Sequence, residues 1–261
     1  MIVTTGLEPS SATLEHAKAF ASQNDLPLVS RRDDSLDQLR KKYHVNDILV
    51  VSAKGVRLDR QDAEPFFFHP NNAAFRIKRL ERGDTDTMLA VCQIAPGDHV
   101  LDATLGLGAD AIVFAHGVGE SGRVVGIESE KLIAMLVADG LKHWQTPSRS
   151  LHQAMNRVEV IARHHLELLR ELPEDSFDVV YFDPMFATTV DASTGIQGIR
   201  RFANHQLLAD RAVEEALRVA RRRVVLKEGK GAETFQRFGF VSYRTNQHQV
   251  VYSYRDKTGG E

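Results

Sequence analysis

Apolar and polar positions follow two rhythms along this chain. Over the first seventy residues the periods are short. Ile2–Thr5 reads as a strand, and Ser10 or Ser11 can cap a helix over Ala12–Ser22 with Leu14, Ala17 and Ala21 at helical spacing. Leu26–Ser30 reads as a short strand, Ser35–Tyr43 as a helix and Asp47–Ser52 as an apolar strand. Val56–Leu58 is expected to pair back across the turn at Ala53-Lys54-Gly55. Pro65 and Pro70 bracket Phe66-Phe67-Phe68, which predicts a joint and not a regular element.

From Asn71 onward the period lengthens. The pattern predicts a helix from Asp84 or Thr85 through Gln93, strand His99–Asp102, helix Asp110–His116, strand Val124–Ile127 and helix Glu130–His143. Strand Arg157–Ala162, helix Leu166–Leu172, strand Phe177–Phe182, helix Gln206–Ala220 and strand Arg223–Lys227 follow. Short apolar strands separated by helices imply a parallel sheet covered on both faces. Phe240–Thr245 and Gln249–Arg255 instead alternate around Asn246-Gln247-His248, which predicts a terminal antiparallel hairpin. The expected fold is α/β: a small N-terminal α/β unit over 1–70, then a mostly parallel sheet domain over 71–261.

Composition adds exclusions. With 43% hydrophobic and 26% charged residues, the chain has the balance of a globular protein. Its length, 261 residues, lets a core form without staples. The single cysteine, Cys92, has no zinc-type cysteine/histidine spacing around it, so no metal is expected. No stretch holds the ~18 uninterrupted apolar residues of a membrane helix, and a cytoplasmic location is expected. A formal net charge of -2 means that any nucleic-acid contact must use a local basic face.

Two segments carry chemistry. The first is Leu101-Asp102-Ala103-Thr104-Leu105-Gly106-Leu107-Gly108-Ala109-Asp110, where glycines between a strand and a helix permit a sharp turn and close approach to a ligand. Glu128 ends the next strand, where a carboxylate can accept hydrogen bonds from ribose hydroxyls of an adenosine-bearing cofactor. A nicotinamide oxidoreductase satisfies the same loose glycine pattern. Asp102 weighs against it, because a pyrophosphate would meet negative charge there whereas a sulfonium and an amino group would not. The second segment is Asp178-Val179-Val180-Tyr181-Phe182 running into Asp183-Pro184-Met185-Phe186. A delocalised exocyclic amine is a poor nucleophile. Acceptance of its N–H bonds by the Asp183 carboxylate and the Pro184 carbonyl would free its lone pair, and Phe186 could stack on the ring.

Together these segments resemble the class I S-adenosylmethionine-dependent methyltransferases, and more closely the RsmJ-type family, which methylates guanine N2 in small-subunit ribosomal RNA. The resemblance spans about Arg76 to Lys227. It implies S-adenosylmethionine as cofactor, contacted by Asp110 with Ala109, Glu128 with Ser129, and Asp183. Asp102, Thr104, Gly106 and Gly108 would line its methionine end. Where the family carries a serine pair beyond the third strand this chain has His164-His165, and His164 could meet the adenine edge. The expected activity is methylation of an exocyclic ring amine, guanine N2 of ribosomal RNA. Adenine, a small metabolite, nicotinamide chemistry and a non-catalytic RNA-binding module stand as alternatives.

Structured RNA as partner requires cations. Arg76, Lys78, Arg79 and Arg82 precede the glycine loop and Arg200-Arg201 follow the Asp-Pro-Met-Phe segment, so both clusters are expected to meet phosphates. Arg221-Arg222-Arg223 are expected as solvated charge at a helix end. The polar stretch Ala187–Phe202 is expected to grip the target.

Overall fold

A computed structural model describes residues 1–184, 210–229, 238–243 and 250–257. The chain divides into two compact units. Met1–His69 and Met135–Gln145 belong to the first, and Pro70–Ala134 with the described residues from Thr146 onward to the second.

In the first unit β1 (Ile2–Thr5) pairs in parallel with β2 (Asp47–Ser52), Ile2 opposite Ile48. Between them lie α1 (Ser11–Gln23) and α2 (Leu36–Tyr43). Ser10 caps α1 by accepting from the Thr13 amide at 3.2 Å, and Ser35 and Gln38 close a reciprocal capping box on α2. β3 (Gly55–Arg60) returns antiparallel to β2, and Gly55 turns with φ +103°. Ile48–Val51 are buried, and Ile2, Leu39, Ile48 and Val50 form the core with Val29, Leu36 and Val45 against them. Two expectations change here. Phe66–Phe67, expected as part of a joint, form a two-residue strand, β4, that pairs antiparallel with β3. The strand expected over Leu26–Ser30 is a single bridge, Val3 to Leu28. Pro27 has no N–H to donate to the next rung, and the Val29 carbonyl is taken by Thr4 Oγ1 at 3.0 Å.

The second unit opens with α3 (Asn71–Leu80) and α4 (Thr87–Cys92), then β5 (His99–Asp102), α5 (Ala109–Val118) and β6 (Arg123–Glu128). Next come α6 (Lys131–His143), whose residues from Met135 belong to the first unit, α7 (Arg149–Asn156), β7 (Val158–Ala162), α8 (His165–Glu171) and β8 (Phe177–Phe182). The remainder is α9 (Asp210–Val219), β9 (Ala220–Gly229), β10 (Val241–Tyr243) and β11 (Val250–Asp256). The seven strands lie in the order β10-β11-β9-β8-β5-β6-β7. The five from β7 to β9 run parallel, and β11 is antiparallel to both neighbours. Strands extend in opposite directions from β5 (β6 and β7 on one side, β8 and β9 on the other), so the order reverses between β5 and β8. In open α/β sheets such a reversal leaves a crevice at the carboxyl ends of the strands.

Sequence patterning missed α3 and α7 and misplaced one cap. The helix expected to start from Asp84 or Thr85 starts at Thr87, because Asp86 accepts the amides of Met88 and Leu89. The Arg221-Arg222-Arg223 run belongs to β9, not to a helix end, because α9 stops at Val219 and the strand begins at once. Each of the three is pinned: Arg221 on Asp178, Arg222 on Asp98, and Arg223 on the Val91 carbonyl and Asp256. Arg223 also lies over the Tyr254 ring at 4.4 Å, a cation–π contact.

Candidate cofactor and target site

Three neighbouring strands deliver a carboxylate at their carboxyl ends: Glu128 from β6, Asp102 from β5 and, one residue past its end, Asp183 from β8. The glycine loop is threaded between them. The Ala103 amide donates to the Tyr181 carbonyl of β8 at 2.8 Å, and the Leu105 amide to the Ile127 carbonyl of β6 at 2.9 Å. Stretched across two strands, the chain can turn into α5 only through left-handed residues, and Gly106 (φ +52°) and Gly108 (φ +75°) supply them. Gly126 in β6 makes room for the loop, since a Cβ there would lie 2.4 Å from Leu105 Cδ1.

Glu128 is held by the loop it faces. Its Oε2 accepts from the Gly106 amide at 3.0 Å, and its Oε1 from the Glu130 amide at 2.9 Å and Ser129 Oγ at 3.4 Å. Burial raises its pKa, and the two amides oppose that rise. Asp102 is 1% exposed and folds toward the loop, Oδ1 accepting from the Thr104 amide at 3.1 Å. Burial, with Asp110 next, pushes its carboxyl upward. A buried acid answered by one amide among the described residues is a site that a cationic ligand group would stabilise.

Asp110 and Asp183 share a lysine. Lys227 Nζ of β9 lies 2.5 Å from Asp183 Oδ2 and 3.2 Å from Asp110 Oδ2. Asp110 also accepts from the Tyr181 hydroxyl at 2.7 Å and from Arg76, which itself grips Asp86 with two nitrogens at 2.7 and 2.8 Å. Burial would raise Asp110, but Lys227 and then Arg76 hold it well below the ordinary carboxylate range. Asp183 goes the other way. Burial pushes it up to about 6, with Lys227 opposing and Asp110 adding. Its amide donates to Thr104 Oγ1 at 2.6 Å, which ties the glycine loop to the Asp-Pro corner.

The structure thus gathers Asp102, Thr104, Gly106, Gly108, Ala109, Asp110, Glu128, Ser129, Asp183 and Pro184 around the carboxyl ends of β6, β5 and β8. Ala109 and Asp110 open α5, where negative charge suits the helix dipole. His164 caps α8 by accepting from the Leu166 amide, and its ring stacks on His165 at 4.4 Å. Burial, with His164 second, lowers His165 to about 4, so that ring is neutral at pH 7. Arg76, expected to meet phosphate, is committed to Asp86 and Asp110. Arg79 pairs with Asp84 at 2.9 Å, whereas Lys78 and Arg82 are exposed and make no ion pair among the described residues. Phe186, Arg200, Arg201 and the stretch Ala187–Phe202 lie outside the described residues. Lys227 and Tyr181 were not singled out as site residues from sequence. The available signal was a tyrosine two residues before Asp183, hence on the same strand face, within an otherwise apolar run.

These residues fit S-adenosylmethionine by donor chemistry. Asp102 offers a buried carboxyl that a neighbouring cationic group would hold ionised, and Glu128 offers an oriented carboxylate to a diol. The loop backbone, free of side chains at Gly106 and Gly108, allows close approach.

Comparison with known proteins agrees. A family model described as "Putative SAM-dependent methyltransferase" matches residues 35–250. An uncharacterized protein of Bacillus subtilis, YpiP, is 41% identical over 239 residues, covering 92% of this chain and 93% of that one. Ribosomal RNA small subunit methyltransferase J of Hahella chejuensis is 30% identical over 260 residues, covering 96% and 95%. Among solved structures, the SAM-dependent methyltransferase NGO1261 of Neisseria gonorrhoeae superposes with a TM-score of 0.66 over 100% of this chain and 98% of that one, at 17% identity. With the strand order, the glycine loop and the acid at each strand end, these matches place the chain in the class I SAM-dependent methyltransferase family, RsmJ-like in sequence, with S-adenosylmethionine as its cofactor.

Proposed function

We propose that this methyltransferase modifies the exocyclic amine of a guanine, at N2, in small-subunit ribosomal RNA, and that it works in the cytoplasm. The observation that carries the reading is the Asp183-Pro184 corner. Asp183 is clamped to Thr104 of the glycine loop on its amide and to Lys227 on one carboxylate oxygen. The other oxygen and the Pro184 carbonyl are acceptors for the two N–H bonds of a flat amine. The similarity to the Hahella protein, with ribosomal RNA in its name, supports the substrate class.

S-adenosylmethionine supplies an electrophilic methyl group on its sulfonium. The chain's own residues do the rest. Glu128 would hold the ribose, Asp102 would face the cationic methionine end, and Asp183 with Pro184 orients the target nitrogen so that its lone pair points toward the transferable methyl group. The N–C bond forms as the methyl group's C–S bond breaks, S-adenosylhomocysteine would leave with that electron pair on sulfur, and the nitrogen sheds a proton. Asp183, with its pKa raised to about 6, is a stronger base than a solvated aspartate and takes that proton. Lys78, Arg79 and Arg82 meet phosphates, with the 64% exposed Phe75, on α3 with Lys78 and Arg79, as a stacking surface. Arg76 positions Asp110 and does not touch RNA.

The test is methylation of small ribosomal subunits and of protein-free small-subunit RNA with methyl-labelled cofactor, followed by digestion to nucleosides. N2-methylguanosine is the expected product, formed at least about a hundredfold more slowly by Asp183→Ala while S-adenosylhomocysteine still binds. N6-methyladenosine or a labelled small molecule in place of N2-methylguanosine would overturn the target, and full turnover by Asp183→Ala would overturn the mechanism.

A further inference from the structure

The first unit carries a group of chemistry-bearing side chains that the proposed reaction does not use. His16 lies on α1, and Asp139 and His143 are one turn apart on α6. His16 Nε2 sits 2.6 Å from Asp139 Oδ1, and His143 Nδ1 sits 3.1 Å from the same oxygen and 3.0 Å from the Asp139 carbonyl oxygen. The two imidazole ring centroids lie 4.1 Å apart, with the planes tilted by 38°. One ligand atom from each of the three residues falls within 4.8 Å of the other two. The Asp139 side chain is 5% exposed, and its Oδ2 is buried with no hydrogen-bond partner.

That buried carboxylate, Oδ1 against two imidazole nitrogens and Oδ2 unanswered, is the informative group. A carboxylate withdrawn from water with one oxygen unanswered is costly, and a cation is the usual compensation. Two imidazoles and a carboxylate form the donor set that borderline divalent ions select, and it is unsuited to magnesium or calcium, which prefer oxygen throughout. Tetrahedral bonds of about 2.0 Å separate ligand atoms by about 3.3 Å, so the contacts at 2.6 and 3.1 Å need open by less than an ångström. The supporting packing holds the α6 turn in place. Gly140 lets Phe68 press onto the helix (a Cβ there would lie 2.2 Å from Phe68 Cγ), and Trp144 sits edge-on to Phe68 and His69. His143 is 48% exposed, which leaves an approach for the ion and a water to complete four ligands.

We propose that His16, Asp139 and His143 bind a divalent transition-metal ion of the zinc type, with an open fourth position. The sequence hides this site because His16 lies 123 residues from Asp139. The chain's one tryptophan, Trp144, adjoins His143 and reports on it. The experiment uses tag-free full-length protein stripped by chelator, titrated with Zn2+ by calorimetry and with Co2+ by visible absorption and Trp144 fluorescence. One equivalent of Zn2+ is expected, with Co2+ giving the intense visible bands of a four-coordinate site and quenching Trp144 at the same stoichiometry. Removing even an outer-shell partner of a metal ligand costs about 10–100-fold in affinity, so His16→Gln and His143→Gln should each lower it at least tenfold. Exposed His152→Gln should leave it unchanged. Unaltered S-adenosylhomocysteine binding in His16→Gln would show that the variant is folded. Absence of stoichiometric binding to the stripped protein, or Zn2+ affinity unaffected by both His16→Gln and His143→Gln, would overturn the proposal.

Discussion

Single residues set the chemistry of the crevice, and Asp183 is the most exposed to test. Its raised pKa means that the carboxylate protonates as the pH falls through about 6, losing the acceptor that the target amine needs. Activity should therefore decline on the acid side with a midpoint near that value. Lys227 stabilises the ionised form, so Lys227→Met should move the acid limb to higher pH, as a kcat/KM profile would reveal; an unmoved limb would mean that another group controls it. Asp183→Ala should cost about a hundredfold or more in kcat, the scale of removing one preorganised polar group from a transition state. Glu128→Ala removes one or two charge-assisted bonds to the ribose at about 1.5–3 kcal/mol each. S-adenosylhomocysteine affinity should accordingly fall by at least about tenfold in calorimetry. The paired acids Asp102 and Glu128 were legible in sequence because each ends an apolar strand. The state of Asp110 was not, since its three partners arrive from α3, β8 and β9.

At the level of elements, caps and close contacts decide what forms. Asp86 accepts two amides at the start of α4 while gripping Arg76. Asp86→Ala should cost about 1–2 kcal/mol for the cap alone, and more for the cation left beside Asp110. Asp86→Asn keeps the cap, so chemical denaturation should rank wild type above Asn and Asn above Ala. Gly122 makes a second test. A Cβ there meets Val118 Cβ at 2.4 Å and the Asp98 carbonyl oxygen at 2.8 Å, and backbone cannot yield as a side-chain tip can. Gly122→Ala should lower stability by about 1–3 kcal/mol. The two helices missed from sequence differ in kind. α7 was legible: Ser148 caps a run that buries Leu151, Ala154 and Met155 at helical spacing. α3 buries only Ala73 and Ile77 and carries four charged or aromatic residues on its other faces, so its periodicity is faint.

For the whole molecule, ligand and salt are the informative variables. S-adenosylhomocysteine bound to the native state alone should stabilise it by about 2.7 kcal/mol at a hundred times its Kd, read as a rise in Tm, and Glu128→Ala should lose about half of that rise or more at the same concentration. With a net charge of -2, RNA affinity must come from a local face, and the salt slope should drop by about one for each of Lys78→Ala and Arg82→Ala. What the amino-acid sequence determined by itself was local: strand and helix periodicity, the glycines that permit a left-handed turn, the acid at each strand end and the terminal antiparallel pair. These follow from neighbours within about ten residues, where backbone geometry and apolar spacing act directly. Tertiary structure alone decided which charges meet. It placed Lys227 between Asp110 and Asp183, withdrew Arg76 from solvent, drew the Arg221–Arg223 run into β9 and brought His16 onto Asp139. Those pairings depend on strand order and chain crossings, and side-chain spacing along the sequence carries no record of either.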